Sequence, residues 1–112
     1  MTHATGETAG REELVREALR TLAGYLELSL DAGASLIVIR HANDTVTFYV
    51  GDPSGPREEL KRRGTAASSL ANEMLNQTRV GMNVIEIDDV TYRFFRSFTL
   101  VEEAAAVVFA PT

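Results

Sequence analysis

There is no cysteine in this chain, which excludes disulfides, thiolate nucleophiles, iron–sulfur clusters and cysteine zinc sites. Histidine is nearly as scarce: His3 and His41 are the only two, too few for the usual histidine-rich metal centres. No apolar run approaches the roughly 18 residues that a bilayer-spanning helix needs. The first ten residues lack the basic start and hydrophobic stretch of a secretory signal, so the expected location is cytoplasmic. Basic residues number 11 against 16 acidic ones, and the formal charge of −5 disfavours non-specific binding to nucleic acid or anionic membrane.

What is present suits one globular unit. A chain of 112 residues matches a single domain in size and buries enough surface to fold without a metal or disulfide staple. Residues 1–10 are small, polar and glycine-containing and are expected to form a flexible tail. The remainder, 11–112, reads as a single α+β domain.

Leu14, Val15, Ala18, Leu19, Leu22, Tyr25 and Leu26 recur at three- and four-residue spacing, which predicts an amphipathic helix over 11–30. Gly33 is its natural stop. Residues 35–41 and 45–51 are rich in β-branched side chains and flank Asn43-Asp44, the signature of a hairpin. If those two residues make the turn, Ala42 pairs with Thr45. Ile37, Ile39 and His41 then share a covered face with Val46, Phe48 and Val50, while Leu36, Val38 and Tyr49 lie on the outer face.

Asp52-Pro53-Ser54-Gly55-Pro56 is a turn-rich connection, and 57–77 reads as a second helix with Leu60, Ala67, Leu70, Ala71, Met74 and Leu75 as its buried stripe. The small residues 64–69 allow close approach to a neighbour. A second hairpin, 82–87 and 90–98, turns at Asp88-Asp89, with Ile87 opposite Val90. Tyr92 and Phe94 fall on its apolar face, and Arg93 and Phe95 on the other. The last segment is open to two readings. A capping box at Thr99–Glu102 favours a helix, while Val107, Val108 and Phe109 before Pro111 favour a strand, the preferred choice. The expected architecture is therefore helix–hairpin, helix–hairpin and a further strand: an antiparallel sheet of four to five strands with both helices mainly on one face.

No residue set carries catalytic, cofactor-binding or metal-binding chemistry beyond a structural explanation. His41 near Asp44 resembles an acid–base pair, yet a hairpin-end histidine needs no further role. Asp88-Asp89 with Glu86 is too compact for a calcium loop, and aspartates tolerate turns. The 52–56 loop lacks a P-loop's lysine and glycine spacing. Lys61-Arg62-Arg63 and the arginine–aromatic run from Thr91 to Arg96 suggest nucleic acid, but alternation buries Tyr92 and Phe94, and Glu58 and Glu59 offset the basic cluster.

The outer sheet face is more informative, because Leu36, Val38, Tyr49, Phe95, Met82 and Val84 exceed what an exposed sheet usually carries. It is either covered by the last segment or used for association, and Val38, Tyr49, Phe95 and Arg93 are the candidate interface. The leading expectation is a non-catalytic protein-binding or assembly module, chaperone-like or adaptor, acting as a homodimer with no cofactor. The alternatives are a small-molecule-binding domain or small enzyme with a pocket near His41, Tyr25 or Tyr49, and, third, a nucleic-acid binder.

Overall fold

The apolar face anticipated on the first helix is the one it buries. In the computed structural model, which describes residues 2–112 with side chains from Gly10 onwards, α1 spans Thr2–Ala32. The expected tail 1–10 lies outside the residues whose side chains are described, apart from Gly10. Ala18, Leu22, Ala23 and Leu26 are buried against the sheet, with Leu19 and Tyr25 packed beside them. Gly33 ends the helix with φ at +63°, and the Ala34 amide donates to the Ser29 carbonyl at 2.9 Å, closing the last turn.

Two antiparallel meanders follow: β1 Ser35–Arg40, β2 Thr45–Gly51 and β3 Lys61–Ala67, then β4 Gly81–Ile87, β5 Val90–Val101 and β6 Ala104–Pro111. Between the meanders lies α2, Ser68–Asn76. The six strands form one open sheet in the order β3-β2-β1-β6-β5-β4. Its centre is the antiparallel pair β1–β6, with Leu36 opposite Phe109 and Val38 opposite Val107. The two halves echo each other in element order but not in topology: the first meander runs outward from the centre and the second inward.

Three expectations are corrected. The strand count is six, because residues 61–67 form β3 and do not continue a helix. Only a short 3-10 turn, Arg57–Glu59, and the nine residues of α2 remain of the expected 57–77 helix. Pairing with the exposed edge of β2 overrides the good helix propensity of Lys61-Arg62-Arg63 and exploits the poor propensity of Gly64. The small residue at 64 has a specific cause. A Cβ there would fall on the hydroxyl of Tyr25, whose ring stacks on Phe48 with centroids 4.2 Å apart.

The third correction is the register of the first hairpin. Arg40 pairs with Val46, and the His41 amide donates to the Thr45 carbonyl at 2.8 Å, so the loop is longer than a two-residue turn. This one-residue slip moves every side chain of β1 to the other face, while those of β2 keep theirs. Leu36 and Val38 join Val46 and Phe48 under the helices, while Ile37, Ile39 and Tyr49 lie on the outer face. The second hairpin pairs as expected, Ile87 opposite Val90, with Asp88 and Asp89 both at positive φ. The last segment is a strand, β6, joined to β5 through Glu102 and Glu103 at positive φ.

The helix-side core gathers α1, α2 and the inner rows of β1, β2, β5 and β6, with Phe94 edge-on to Phe109 at 5.6 Å. A smaller core occupies the other face: Ile37, Ile39, Tyr49, Leu60, Val101, Ala106 and Val108. No helix covers it. The 52–60 connection supplies Leu60, and the Arg57 guanidinium lies 4.6 Å over the Tyr49 ring while donating to its hydroxyl at 3.0 Å. Polar ties fix the helices. Arg11 meets the buried Glu73 at 2.6 Å, joining α1 to α2, and Arg20 meets Asp88 at the β4–β5 turn.

Tyr92 hydrogen-bonds Glu27 of α1 at 2.7 Å, and burial, that bond and the negative charges of Glu27 and Asp88 push its hydroxyl up to about 12. The raised value means that the neutral phenol stabilises the fold fully below its ordinary pKa of 10.0 and that the contribution is lost as pH rises through about 12. Thermal melts between pH 9 and 12 should therefore show a steeper alkaline loss for the natural chain than for Tyr92→Phe. At the α1–β3 contact, Gly64→Ala should cost roughly 1–3 kcal/mol in urea unfolding. Most of that cost should disappear in a Tyr25→Phe background, which removes the obstructing oxygen.

Candidate protein-binding surfaces

The outer face is divided in two. Over β1, β2 and β6 it is closed by Leu60 and Arg57, and Arg57 also reaches Glu102 at 3.7 Å on the β5–β6 turn. Over β4 and β5 nothing covers it: Met82 is 45% exposed, Val84 55% and Phe95 45%, with Met82 paired to Phe95 and Val84 to Arg93. Of the four interface residues anticipated, Arg93 and Phe95 are therefore together on open surface. Val38 is buried beneath the helices and Tyr49 beneath Arg57, so neither lies on that open surface.

A second apolar surface lies on the helix side, and sequence reasoning missed it. α2 must carry the chain from one sheet edge, β3, to the other, β4, across about 24 Å at the usual strand spacing. Its nine residues span only about 13 Å. The remainder of the inner face near the β5–β6 turn is left without a helix. There a hollow of about 180 Å³ is walled by Ala71, Met74 and Leu75 of α2 and floored by Val38, Val107 and Phe109. Phe98 at its rim is 63% exposed, and Leu100, two residues further along the same face of β5, is 69% exposed. The sequence signal was available in principle: Phe94, Arg96, Phe98 and Leu100 alternate on one face of β5, a strand longer than α2 can cover.

Two arginines hold the α2 wall of this hollow. Arg40 lines it and donates to Asn72 of α2 at 2.6 Å, on a side chain otherwise exposed. Arg96 is buried and donates to the Leu75 carbonyl at 2.9 Å and the Thr78 hydroxyl at 2.8 Å, so it caps the carbonyl end of α2. Burial holds its pKa below the ordinary guanidinium value. This cap fixes Leu75, one wall of the hollow, against the sheet.

The other anticipated sites do not assemble. His41 bonds Thr47 at 2.7 Å in an open, shallow depression with Tyr49 and Arg62, while Tyr25 lies on the opposite side of the sheet against Phe48. The three residues of the enzyme alternative thus share no enclosed cavity. Asp88 is engaged by Arg20, and Asp52 accepts the amide and hydroxyl of Ser54, bonds that hold its carboxyl below the usual value. Among the described residues no three histidine, aspartate or glutamate side chains converge as a metal site, and no helix is long and apolar enough to cross a membrane. Lys61, Arg62 and Arg63 lie on an edge strand and not on a helix face.

Compared with protein-family models, curated proteins and solved structures, the chain finds no match.

The two kinds of aromatic on β5 should separate cleanly in mutagenesis. Phe94→Ala, at the centre of the core, should cost roughly 3–5 kcal/mol of unfolding free energy. Phe95→Ala, on open surface, should cost less than about 1 kcal/mol. The measurement is a pair of denaturant titrations under identical conditions.

Proposed function

We propose that this chain is a non-catalytic protein-binding or assembly module, an adaptor or chaperone-like subunit that works as a homodimer. In this reading the hollow beside α2 receives large apolar side chains from a segment of a partner protein. The observation that carries it is the exposure of Phe98 at the rim of an apolar hollow, with Leu100 exposed two residues beyond it on the same face of β5. Their burial against a partner is worth about 1.5–3 kcal/mol for each side chain fully covered.

Size and chemistry favour a protein segment over a free small molecule. Pockets for drug-sized ligands usually run to roughly 300–1,000 Å³ and hold several convergent polar groups. This one has about 180 Å³ and a single charged lining residue, Arg40. The flanking exposed side chains extend the contact beyond the hollow, as a chain lying along it would require. A carboxylate on that chain would meet Arg40. The expectation of a cytoplasmic protein without nucleic-acid or membrane partners rests on composition and belongs to the same reading.

Selection from a displayed library of random peptides tests it. Enriched peptides should carry two or more large apolar residues and an acidic one. Their binding should weaken at least about tenfold in Phe98→Asp and in Leu100→Asp, an effect of roughly 1.4 kcal/mol or more. Both variants should keep the natural circular dichroism and melting behaviour. Peptides that bind the variants as well as the natural chain, or a selection that enriches none, would overturn the proposal.

A further inference from the structure

We infer that two copies of this chain join edge to edge through β4, antiparallel, so that one sheet runs unbroken across both. The inference rests on the homodimer part of the reading above and adds where the copies meet.

A strand at the edge of a sheet presents unpaired backbone groups, and proteins that remain monomeric blunt such edges with basic side chains, bulges or prolines. The two edges of this sheet are treated differently. β3 carries Lys61, Arg62 and Arg63 in succession, a register shift opposite Phe48 and Tyr49, and Gly64. Those are the devices that discourage pairing. β4 is less guarded: Gly81–Ile87 contains no lysine, arginine or proline, pairs regularly with β5 through all seven residues, and bears one charge, Glu86, with Arg79 just before it as its one basic neighbour. The less protected edge is the one beside the bare half of the outer face.

The side chains agree with a two-fold arrangement. An axis perpendicular to the sheet keeps the outer faces of both copies on the same side, so Met82, Val84 and Phe95 of one copy continue into the same residues of the other. A self-complementary contact of this kind closes on itself and does not propagate. The ends of β4 also carry opposite charge: exposed Arg79 precedes it, and Glu86 and Asp89 close it, Asp88 being paired with Arg20. Antiparallel pairing sets each copy's basic end beside the other's acidic end, at both ends of the contact. Arg79 Nε donates to the Met82 carbonyl at 3.1 Å, and that side chain must swing aside for the pairing to extend over the whole strand.

Because the chain has no cysteine, an introduced one reports position without interference. Sedimentation equilibrium of the full chain should show a dimer. Val84→Cys should cross-link it under mild oxidation, whereas Phe98→Cys should not. The exposed-site double variant Met82→Lys/Val84→Lys should weaken the dimer at least about tenfold while keeping the monomer fold by circular dichroism. Arg79→Glu and Glu86→Arg should each weaken it, and their combination should restore it, a rescue that a loss of folding would not produce. A dimer that resists the lysine variants, or that cross-links through position 98, would overturn edge pairing and leave the homodimer standing. A monomeric natural chain would overturn both edge pairing and the homodimer, while groove binding would still be decided by the peptide selection. A monomer that captures an extended foreign peptide along β4 would show another chain as the occupant and would likewise overturn self-pairing.

Discussion

The antiparallel pairing of β1 with β6 joins segments about seventy residues apart, and the closing of so long a loop must be offset by what the pair buries. Leu36, Ile37, Val38 and Ile39 are buried on both faces of β1, and Ala106, Val108 and Phe109 answer them across the ladder. Each meander by itself is a small sheet with an unprotected flank. Paired, they give α1 and α2 one surface broad enough to cover, and they bring Phe94 against Phe109. The outer core depends on the same pair, since Ile37, Ile39, Ala106 and Val108 form its centre.

From that junction the coverage of the two faces follows. α1 is long and crosses the sheet, but α2 is short because the chain must also form β3 before crossing to the opposite edge. The inner face near the β5–β6 turn is consequently left open, with Phe98 and Leu100 at its border. The outer face is covered only as far as the 52–60 connection reaches, where Arg57 spans Tyr49 and Glu102. Both bare regions are thus consequences of element lengths. The apolar side chains on both of them, and the three basic residues on one sheet edge, are the observations on which the proposed association rests.

Legibility in the sequence followed the distance over which each signal acts. The α1 face was readable because its three- and four-residue spacing is local, and the second hairpin because Asp88-Asp89 sits tightly between its strands. The first hairpin misled by one residue. Asn43-Asp44 is a good turn signal, but it does not distinguish a two-residue turn from the longer loop that His41 and Thr45 close, and one residue of slip turns β1 over relative to β2. Val38 was consequently placed on the open surface, although it belongs to the core. The fate of residues 61–67 was less accessible still: their helix-compatible composition becomes a strand only because β2 offers an edge and Tyr25 demands a glycine opposite its hydroxyl.

By itself the sequence determined the class of the protein: a cysteine-free, acidic α+β chain with α1 amphipathic, the second hairpin in register and Tyr92 and Phe94 turned inward. Those properties depend on periodicity and turn chemistry within a few residues. Tertiary structure alone decided the sixth strand, the faces of the first hairpin, the burial of Tyr49 and the hollow beside α2. Each of these depends on which distant segment lies alongside, and a backbone edge or an uncovered face has no composition of its own from which to be read.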